Sequence, residues 1–235
     1  MPEAVPLLVL WDIDHTLVTI TGVGQEIYAQ AFTQVIGRPL LHLPDMAGRT
    51  EQAIVSEALA LNGVEPVQSF DAFYTAIAVA ARAMGDQIRE RGRTLPGVHE
   101  ALALFEANGA VQSLVTGNLP DVAATKLEAF GLESFVDFEV GGYGDDSSDR
   151  AVLVRLAIER AEAKYGHGFK PEHAVVIGDT PHDVKGAHDN GAVAVAVATG
   201  SSSVDALTAA GADVVLPNLL EISTVHEHLL ARRSN

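Results

Sequence analysis

Short apolar runs alternate with stretches of helical periodicity along most of the chain. The runs are rich in Val, Leu and Ala and mostly lack the polar alternation of a half-exposed strand, so we expect both faces of each strand to be covered. These runs span residues 6–11, 110–115, 135–140, 174–178, 192–198 and 212–217. The helical patterns between them span residues 96–109, 120–131, 149–164 and 181–191. Strands that alternate with helices predict an α/β fold built on a doubly wound, mostly parallel sheet.

One region departs from this alternation. Between about residues 22 and 92 the apolar side chains recur only at helical spacing. The helical segments there span residues 24–37, 50–63 and 70–90. An all-helical insert after the first strand predicts a cap of residues 22–92 on an α/β core of residues 1–21 and 93–235.

Composition narrows the partners and the environment. The formal net charge is −16, from 15 basic and 31 acidic residues, so nucleic acid and anionic membranes would be repelled. The chain has no cysteine, which excludes disulfides and thiolate metal sites and fits a reducing compartment. No apolar stretch approaches the roughly 20 residues of a membrane helix, and the N-terminal run is too short for a signal peptide. We therefore expect a cytoplasmic protein that binds neither nucleic acid nor membranes.

Polar side chains stand where three of the apolar runs end. The first run is followed by Asp12 and Asp14, the second by Thr116, and the fourth by Asp179, with Asp183 in the first turn of the next helix. Each piece alone is a common strand exit or helix cap. In an open parallel sheet, however, ligands bind beyond the carboxyl ends of the strands, where all of these residues would meet. Their conjunction predicts a functional site.

The chemistry of that site points to a hard cation. Four carboxylates in one crevice repel one another, and a divalent ion relieves the repulsion. Mg²⁺ takes a few carboxylate oxygens, keeps water ligands and binds substrate phosphate. Zinc is disfavoured, because cysteine is absent and the histidines lack ligand spacing.

The order of three motifs resembles the haloacid dehalogenase superfamily, in its phosphatase branch with a helical cap. The motifs are "DIDHT" at the first strand, "LVTGN" at the second and "GDTPHD" at the fourth, with the helical insert between the first two. The resemblance covers nearly the whole chain and extends to phosphoglycolate-phosphatase-like and β-phosphoglucomutase-like members. It implies a Rossmann-like core and a Mg²⁺-dependent phosphatase that acts on a small phosphorylated metabolite.

The same resemblance implies roles for individual residues. Asp12 would be the nucleophile that forms an aspartyl-phosphate, and Asp14 the general acid and base. Mg²⁺ would be held by Asp12, the backbone carbonyl of Asp14 and Asp179, with Asp183 in support. Thr116 would donate a hydrogen bond to a phosphoryl oxygen. Neighbouring negative charge is expected to raise the pKa of Asp14, which would help it hold the proton that the leaving group needs.

Further positions complete the predicted site. The substrate-binding candidates are Thr16, Gly117, Asn118 and, in the segment "MAGRTEQ" of the insert, Arg49. The family also needs a basic residue before the fourth motif to neutralise the nucleophile and the phosphate. No lysine stands at the start of the helix after "VGGYGDDSSD", but Arg150 does, and a permanently charged guanidinium suits that role. Lys170 is the alternative.

Several functions remain open from the sequence. Asp14 argues against a haloacid dehalogenase or a phosphonatase, which do without this acid. A β-phosphoglucomutase-like phosphoryl transferase keeps the same aspartates, and a catalytically silent member could serve as a binding protein. The substrate and the oligomeric state, monomer or homodimer, are left open.

Overall fold

The structure is a computed structural model that describes residues 5–166 and 168–233, with the side chains of all of these except 228 and 230–233. Residues 1–4, 167, 234 and 235 of the predicted core lie outside the described residues. Within the described residues the strands are β1 (Leu8–Trp11), β2 (Val18–Ile20), β3 (Gly92–Thr94), β4 (Val111–Leu114), β5 (Ala174–Gly178), β6 (Val193–Val197) and β7 (Val214–Leu216). The helices are α1 (Val23–Ile36), α2 (Glu51–Leu61), α3 (Asp71–Ala83), α4 (Gly85–Arg91), α5 (Val98–Ala107), α6 (Pro120–Glu128), α7 (Arg150–Tyr165), α8 (Pro181–Asp189), α9 (Val204–Ala209) and α10 (Ile222–Arg233).

A parallel sheet of five strands in the order β4-β1-β5-β6-β7 forms the centre of the molecule. In the register of this sheet, Trp11 at the end of β1 stands beside Leu114 of β4 and Ile177 of β5. The three strands therefore end at one level, and the residues that follow them meet at one edge. The predicted α/β fold with a parallel sheet is confirmed.

Helices cover both faces of this sheet, as a doubly wound fold requires. Alternate side chains of β1 enter different cores, Val9 and Trp11 on one face and Leu8 and Leu10 on the other. The first core is shared with α5, α6 and α10, and the second with α7, α8 and α9. None of the helices within the described residues combines the length and the apolar character that a bilayer crossing requires.

The insert between β2 and β3 is helical and has a core of its own. Apolar side chains of α1, α2, α3 and α4 pack together there with Leu119 and Val122, which come from the start of α6. The predicted helix over residues 70–90 is divided at Met84, where Gly85 weakens the helical pattern. The two connections to the insert pair with each other as the antiparallel strands β2 and β3, which the pattern did not indicate.

The strand predicted at residues 135–140 is wrong. Two short 3₁₀ turns, Glu133–Phe135 and Phe138–Val140, occupy this segment beside β4. The side chain of Asp137 accepts the N–H of Glu139 and bends the chain, while its backbone carbonyl accepts the hydroxyl of Ser113. A side chain that accepts a hydrogen bond from a neighbouring backbone N–H in this way competes with the ladder of a strand.

The aromatic contact between Trp11 and Phe105 gives a test of this packing. Their rings meet edge to face at 5.8 Å, and both side chains are fully buried. We expect Phe105→Ala to lower the free energy of unfolding by about 3–5 kcal/mol, since it leaves a cavity between the sheet and α5. Urea denaturation measures the change. Leu41→Ala is the control, because Leu41 is 71% exposed and its truncation should cost less than about 0.5 kcal/mol. Equal effects in the two variants would contradict this packing.

Candidate active site

The first aspartate of the site follows β1 directly and is almost completely buried. The N–H of Asp12 donates to the carbonyl of Ile177 in β5, which continues the parallel ladder by one residue. The chain then turns back, because the carbonyl of Ile13 accepts the N–H groups of Leu17 and Val18. Within this turn His15 adopts a left-handed conformation with a φ of 62°. The turn leaves the carboxylates of Asp12 and Asp14 at the edge of the sheet.

Three buried carboxylates form a cluster at this edge. One oxygen each from Asp12, Asp179 and Asp183 lies within 4.8 Å of the others. Asp179 follows β5, and Asp183 is fixed at the start of α8 by a capping box in which it accepts the N–H and the hydroxyl of Thr180. Burial, together with the charge of Asp183, raises the pKa of Asp179 to about 7. Burial also raises the pKa of Asp12 well above its ordinary value, although Arg150 opposes this.

Arg150 supplies the positive charge inside this cluster. It is the first residue of α7, and its buried guanidinium lies 3.5 Å from Asp12 Oδ1 and 3.3 Å from Asp183 Oδ1. A hydrogen bond of 3.0 Å to the carbonyl of Val115 holds the side chain in place. Lys170 is exposed and does not line the cavity of the site. The geometry therefore favours Arg150 over Lys170 as the basic partner of Asp12.

Thr116 and Asn118 lie beside the aspartates, after the end of β4. Asn118 Nδ2 donates to Thr116 Oγ1 and to Asp14 Oδ2, both at 2.8 Å. Thr16 is different, because it lies in the turn after β1, is fully buried and does not line the cavity. Its hydroxyl has no hydrogen-bond partner within the described residues. The structure therefore does not bring Thr16 to the predicted substrate-binding residues.

Lys126 is a site residue that the sequence analysis missed. Its ammonium lies 2.7 and 2.6 Å from the two carboxylate oxygens of Asp14 and 2.8 Å from Asn118 Oδ1. Partial enclosure in the cavity works to raise the pKa of Asp14, but Lys126 and Asn118 outweigh it and hold that pKa below its ordinary value. The expected rise was wrong, because the cation from α6 lies closer than the other acids. A signal was present, since Lys126 stands four residues after the buried Val122 on one helix face.

A cavity of about 400 Å³ separates these residues from the helical insert. On the insert side, Tyr28 donates a hydrogen bond to the carboxyl of Glu51, another residue that the sequence analysis missed. Burial raises the pKa of Glu51 to about 8, against the attraction of Lys126. Arg49 lines the cavity as predicted for a substrate contact, but its guanidinium pairs with Glu57 of the same insert.

Backbone contacts hold the insert against the sheet edge. The N–H of Glu51 donates to the carbonyl of Gly117 (2.9 Å), and the N–H of Gln52 donates to the carbonyl of Gly144 (3.3 Å). A side chain at Gly117 would overlap the carbonyl of Arg49. Gly117, which was predicted to bind substrate, lines the cavity. Because it has no side chain, it also allows the insert to contact the edge of the sheet.

The sheet, the acids at its edge and the covering insert agree with the comparisons. The chain belongs to the haloacid dehalogenase-like hydrolase family, whose model matches residues 9–188. Among curated relatives, the "Phosphoglycolate phosphatase" of Nitrosococcus oceani is 24% identical over 223 residues, 94% of this chain and 96% of the relative.

The other similarities are more partial in sequence. The "Probable phosphatase IndB" of Dickeya dadantii is 29% identical over 145 residues, which cover 61% of this chain and 60% of that relative. The crystal structure of CbbY from Rhodobacter sphaeroides in complex with phosphate aligns with a TM-score of 0.69 at 16% identity, over 92% of this chain and 96% of that chain. At that identity the alignment shows the shared fold.

Gly117→Ala tests the contact between the insert and the core. Gly117 is outside the left-handed region, so the added methyl group acts only through the space it takes. We expect the start of α2 to move away and the amide of Glu51 to exchange its hydrogen at least about tenfold faster. Gly85→Ala is the matched control, because its new methyl group meets open space. Unchanged exchange at Glu51 in Gly117→Ala would contradict the contact.

Proposed function

We propose that this chain hydrolyses a small phosphomonoester through a phosphorylated Asp12, with Mg²⁺ bound beside it. The chain is a phosphatase of the haloacid dehalogenase-like family, a hydrolase acting on phosphate esters, as its family match and the phosphatases among its relatives support. The observation that carries the finer proposal is the opposite setting of the two aspartates after β1. Asp12 lies among buried carboxylates beside Arg150, whereas Asp14 is paired with Lys126.

The acid cluster has the donor set of a magnesium site. Asp12, Asp179 and Asp183 bring three buried carboxylates against one guanidinium, so negative charge is left over. Asp183 Oδ1 has no hydrogen-bond partner of good geometry within the described residues. Oxygen ligands alone suit a hard divalent cation. We infer that Asp12, Asp179 and the backbone carbonyl of Asp14 hold Mg²⁺, with Asp183 supporting them, and that the ion when bound neutralises charge on the phosphoryl group.

The first chemical step is assigned to the two aspartates. The carboxylate of Asp12 attacks phosphorus, and the bond from phosphorus to the ester oxygen breaks. Arg150 and the Thr116 hydroxyl face the phosphoryl oxygens, where positive charge and a hydrogen-bond donor stabilise the transition state. Asp14 gives a proton to the leaving oxygen. Lys126 keeps Asp14 ionised in the resting site, so Asp14 first takes up a proton from solvent as the substrate binds, when the phosphoryl anion opposes that cation and raises the pKa of Asp14.

The second step returns the site to its starting state. A water molecule attacks the phosphorus of the aspartyl-phosphate and releases inorganic phosphate and the free Asp12 carboxylate. Asp14 takes the proton from that water and releases it to solvent after phosphate leaves, when Lys126 again favours the ionised carboxylate. Lys126 and Asn118 hold the Asp14 carboxylate in one orientation for both transfers.

The surrounding assignments belong to the same proposal. Residues 22–92 act as a cap that covers the cavity, since α2 contacts the core beside Gly117 and Gly144. The substrate is a small phosphorylated metabolite, in keeping with the size of the cavity. We assign the activity to the cytoplasm, on the composition of the chain, and to a monomer or homodimer.

Asp12→Asn tests the nucleophile. We expect it to lower phosphate release from a panel of small phosphomonoesters by about 1,000-fold or more, because an amide cannot form the aspartyl-phosphate. EDTA should abolish release by the unsubstituted protein, and added Mg²⁺ should restore it. Asp205→Asn, an exposed change of the same kind, should leave the rate as it is. Isomerised phosphate ester without net phosphate release would favour the mutase, and full activity in Asp12→Asn would refute the mechanism.

Thermal unfolding tests the magnesium site without relying on turnover. A ligand at 100 times its dissociation constant stabilises the folded state by about 2.7 kcal/mol, so saturating Mg²⁺ should raise the melting temperature by roughly 5–10 °C. Asp179→Asn removes one carboxylate from the cluster and should lose most of this shift. Asp205→Asn should keep it. If Asp179→Asn and the unsubstituted protein shift equally, these carboxylates are not the site.

A further inference from the structure

The wall of the cavity opposite the acids is largely apolar, and a hydrogen-bonded pair of polar side chains lies in it. Its apolar residues are Val23, Ile27, Ile54, Ile77, Ile88 and Val122. The pair is formed by Tyr28 and Glu51, which are 8% and 4% exposed, with the tyrosine hydroxyl donating to the glutamate carboxyl. The mechanism proposed above uses neither side chain.

Glu51 lines the same cavity as Asp14, and its N–H donates to the carbonyl of Gly117, the neighbour of Asn118. Asn118 in turn donates to Asp14, the group assigned to protonate the leaving oxygen of the substrate. The part of a substrate that follows the ester oxygen would therefore enter the apolar wall and meet Glu51. A buried carboxyl that already accepts one hydrogen bond from Tyr28 has further acceptor sites for a donor on the substrate.

Among the described residues, no lysine or arginine that lines this cavity is left unpaired for a second anionic group. The cationic side chains that line it each pair with a carboxylate: Arg49 with Glu57, Lys126 with Asp14, and Arg150 with Asp12. An anion that moves from water into an apolar wall loses its hydration. Without a free counter-charge, no interaction compensates for that loss. An ammonium or a hydroxyl group, in contrast, finds an acceptor in Glu51.

We propose that Glu51 and Tyr28 form a subsite for the alcohol part of the substrate, which takes a short aliphatic group carrying a hydrogen-bond donor, either a hydroxyl or an amine, and disfavours a second anion. This subsite rests on the proposed phosphatase function and adds the class of substrate to it. The alcohol part of phosphoglycolate carries a carboxylate. The subsite therefore disfavours phosphoglycolate, which is the substrate stated in the name of a relative of this chain.

Four phosphomonoesters test the subsite with the number of carbons held at two: ethyl phosphate, 2-hydroxyethyl phosphate, 2-aminoethyl phosphate and phosphoglycolate. We expect kcat/KM of the unsubstituted protein to be at least about tenfold higher for the hydroxyl and amine esters than for ethyl phosphate. Phosphoglycolate should be the poorest of the four. The comparison of the hydroxyl with the amine ester identifies which donor the subsite prefers.

Variants assign this ranking to the pair. Glu51→Gln keeps the shape but cannot become negative, so at pH 9, above the pKa of about 8 that burial gives Glu51, the preference for 2-aminoethyl phosphate over phosphoglycolate should fall at least about tenfold, with a smaller loss for the hydroxyl ester. Tyr28→Phe should act in the same direction. Glu65→Gln, the same chemical change at an exposed position of the insert, should leave the ranking as it is.

The outcomes separate the subsite from the function on which it rests. Acetyl phosphate has no alcohol part and reports the phosphatase activity alone. Suppose that acetyl phosphate is hydrolysed by an Asp12-dependent reaction. If phosphoglycolate then ranks first among the esters, or if Glu51→Gln and Glu65→Gln rank the esters alike, the subsite is wrong and the phosphatase function stands. If neither acetyl phosphate nor any of the four esters is hydrolysed, the proposed function falls and the subsite with it.

Discussion

Repulsion among buried carboxylates is the constraint around which this site is built. The register of the parallel sheet ends β1 and β5 at the same level, which places Asp12 beside Asp179, and the capping of α8 adds Asp183. Three such charges away from water oppose folding unless positive charge lies close to them. Arg150 reaches into the cluster from the start of α7, and the well-packed cores on both faces of the sheet stabilise the fold that holds these charges together.

The same electrostatics separate two aspartates that stand one residue apart. The turn after β1 points Asp12 toward the other acids and Asp14 toward α6, so the pKa of Asp12 rises and that of Asp14 falls. Two identical side chains thus acquire different proton affinities from their surroundings alone. The difference arises from the surroundings that each element supplies, since Asp12 lies among further acids 3.5 Å from Arg150 of α7, whereas Lys126 of α6 contacts both oxygens of Asp14.

The sequence predicted the parts of the molecule that local pattern determines. The buried strands are short, fully apolar runs, and the acids that follow them mark their ends, so the sheet edge and most of its polar residues could be located. Lys126 and Glu51 were missed, because each lies on a helix and not at the end of a strand. Lys126 contacts Asp14 from α6, and Glu51 reaches the cavity where α2 meets the residues after β4. Residues 135–140 were misread for a different reason, since one aspartate that accepts the N–H of the residue two positions later outweighed an apolar pattern typical of a strand.

The hydrogen bonds that hold α2 to the core run from main chain to main chain, from the amides of Glu51 and Gln52 to the carbonyls of Gly117 and Gly144. The position of the insert therefore depends on backbone hydrogen bonds, whereas the proposed choice of substrate depends on side chains of the same helix. Substitutions of those side chains can change the lining of the cavity while the backbone hydrogen bonds between α2 and the core are kept. With this division of roles, the substrate can change during evolution while the catalytic residues stay enclosed. Common ancestry therefore constrains the reaction more tightly than it constrains the substrate.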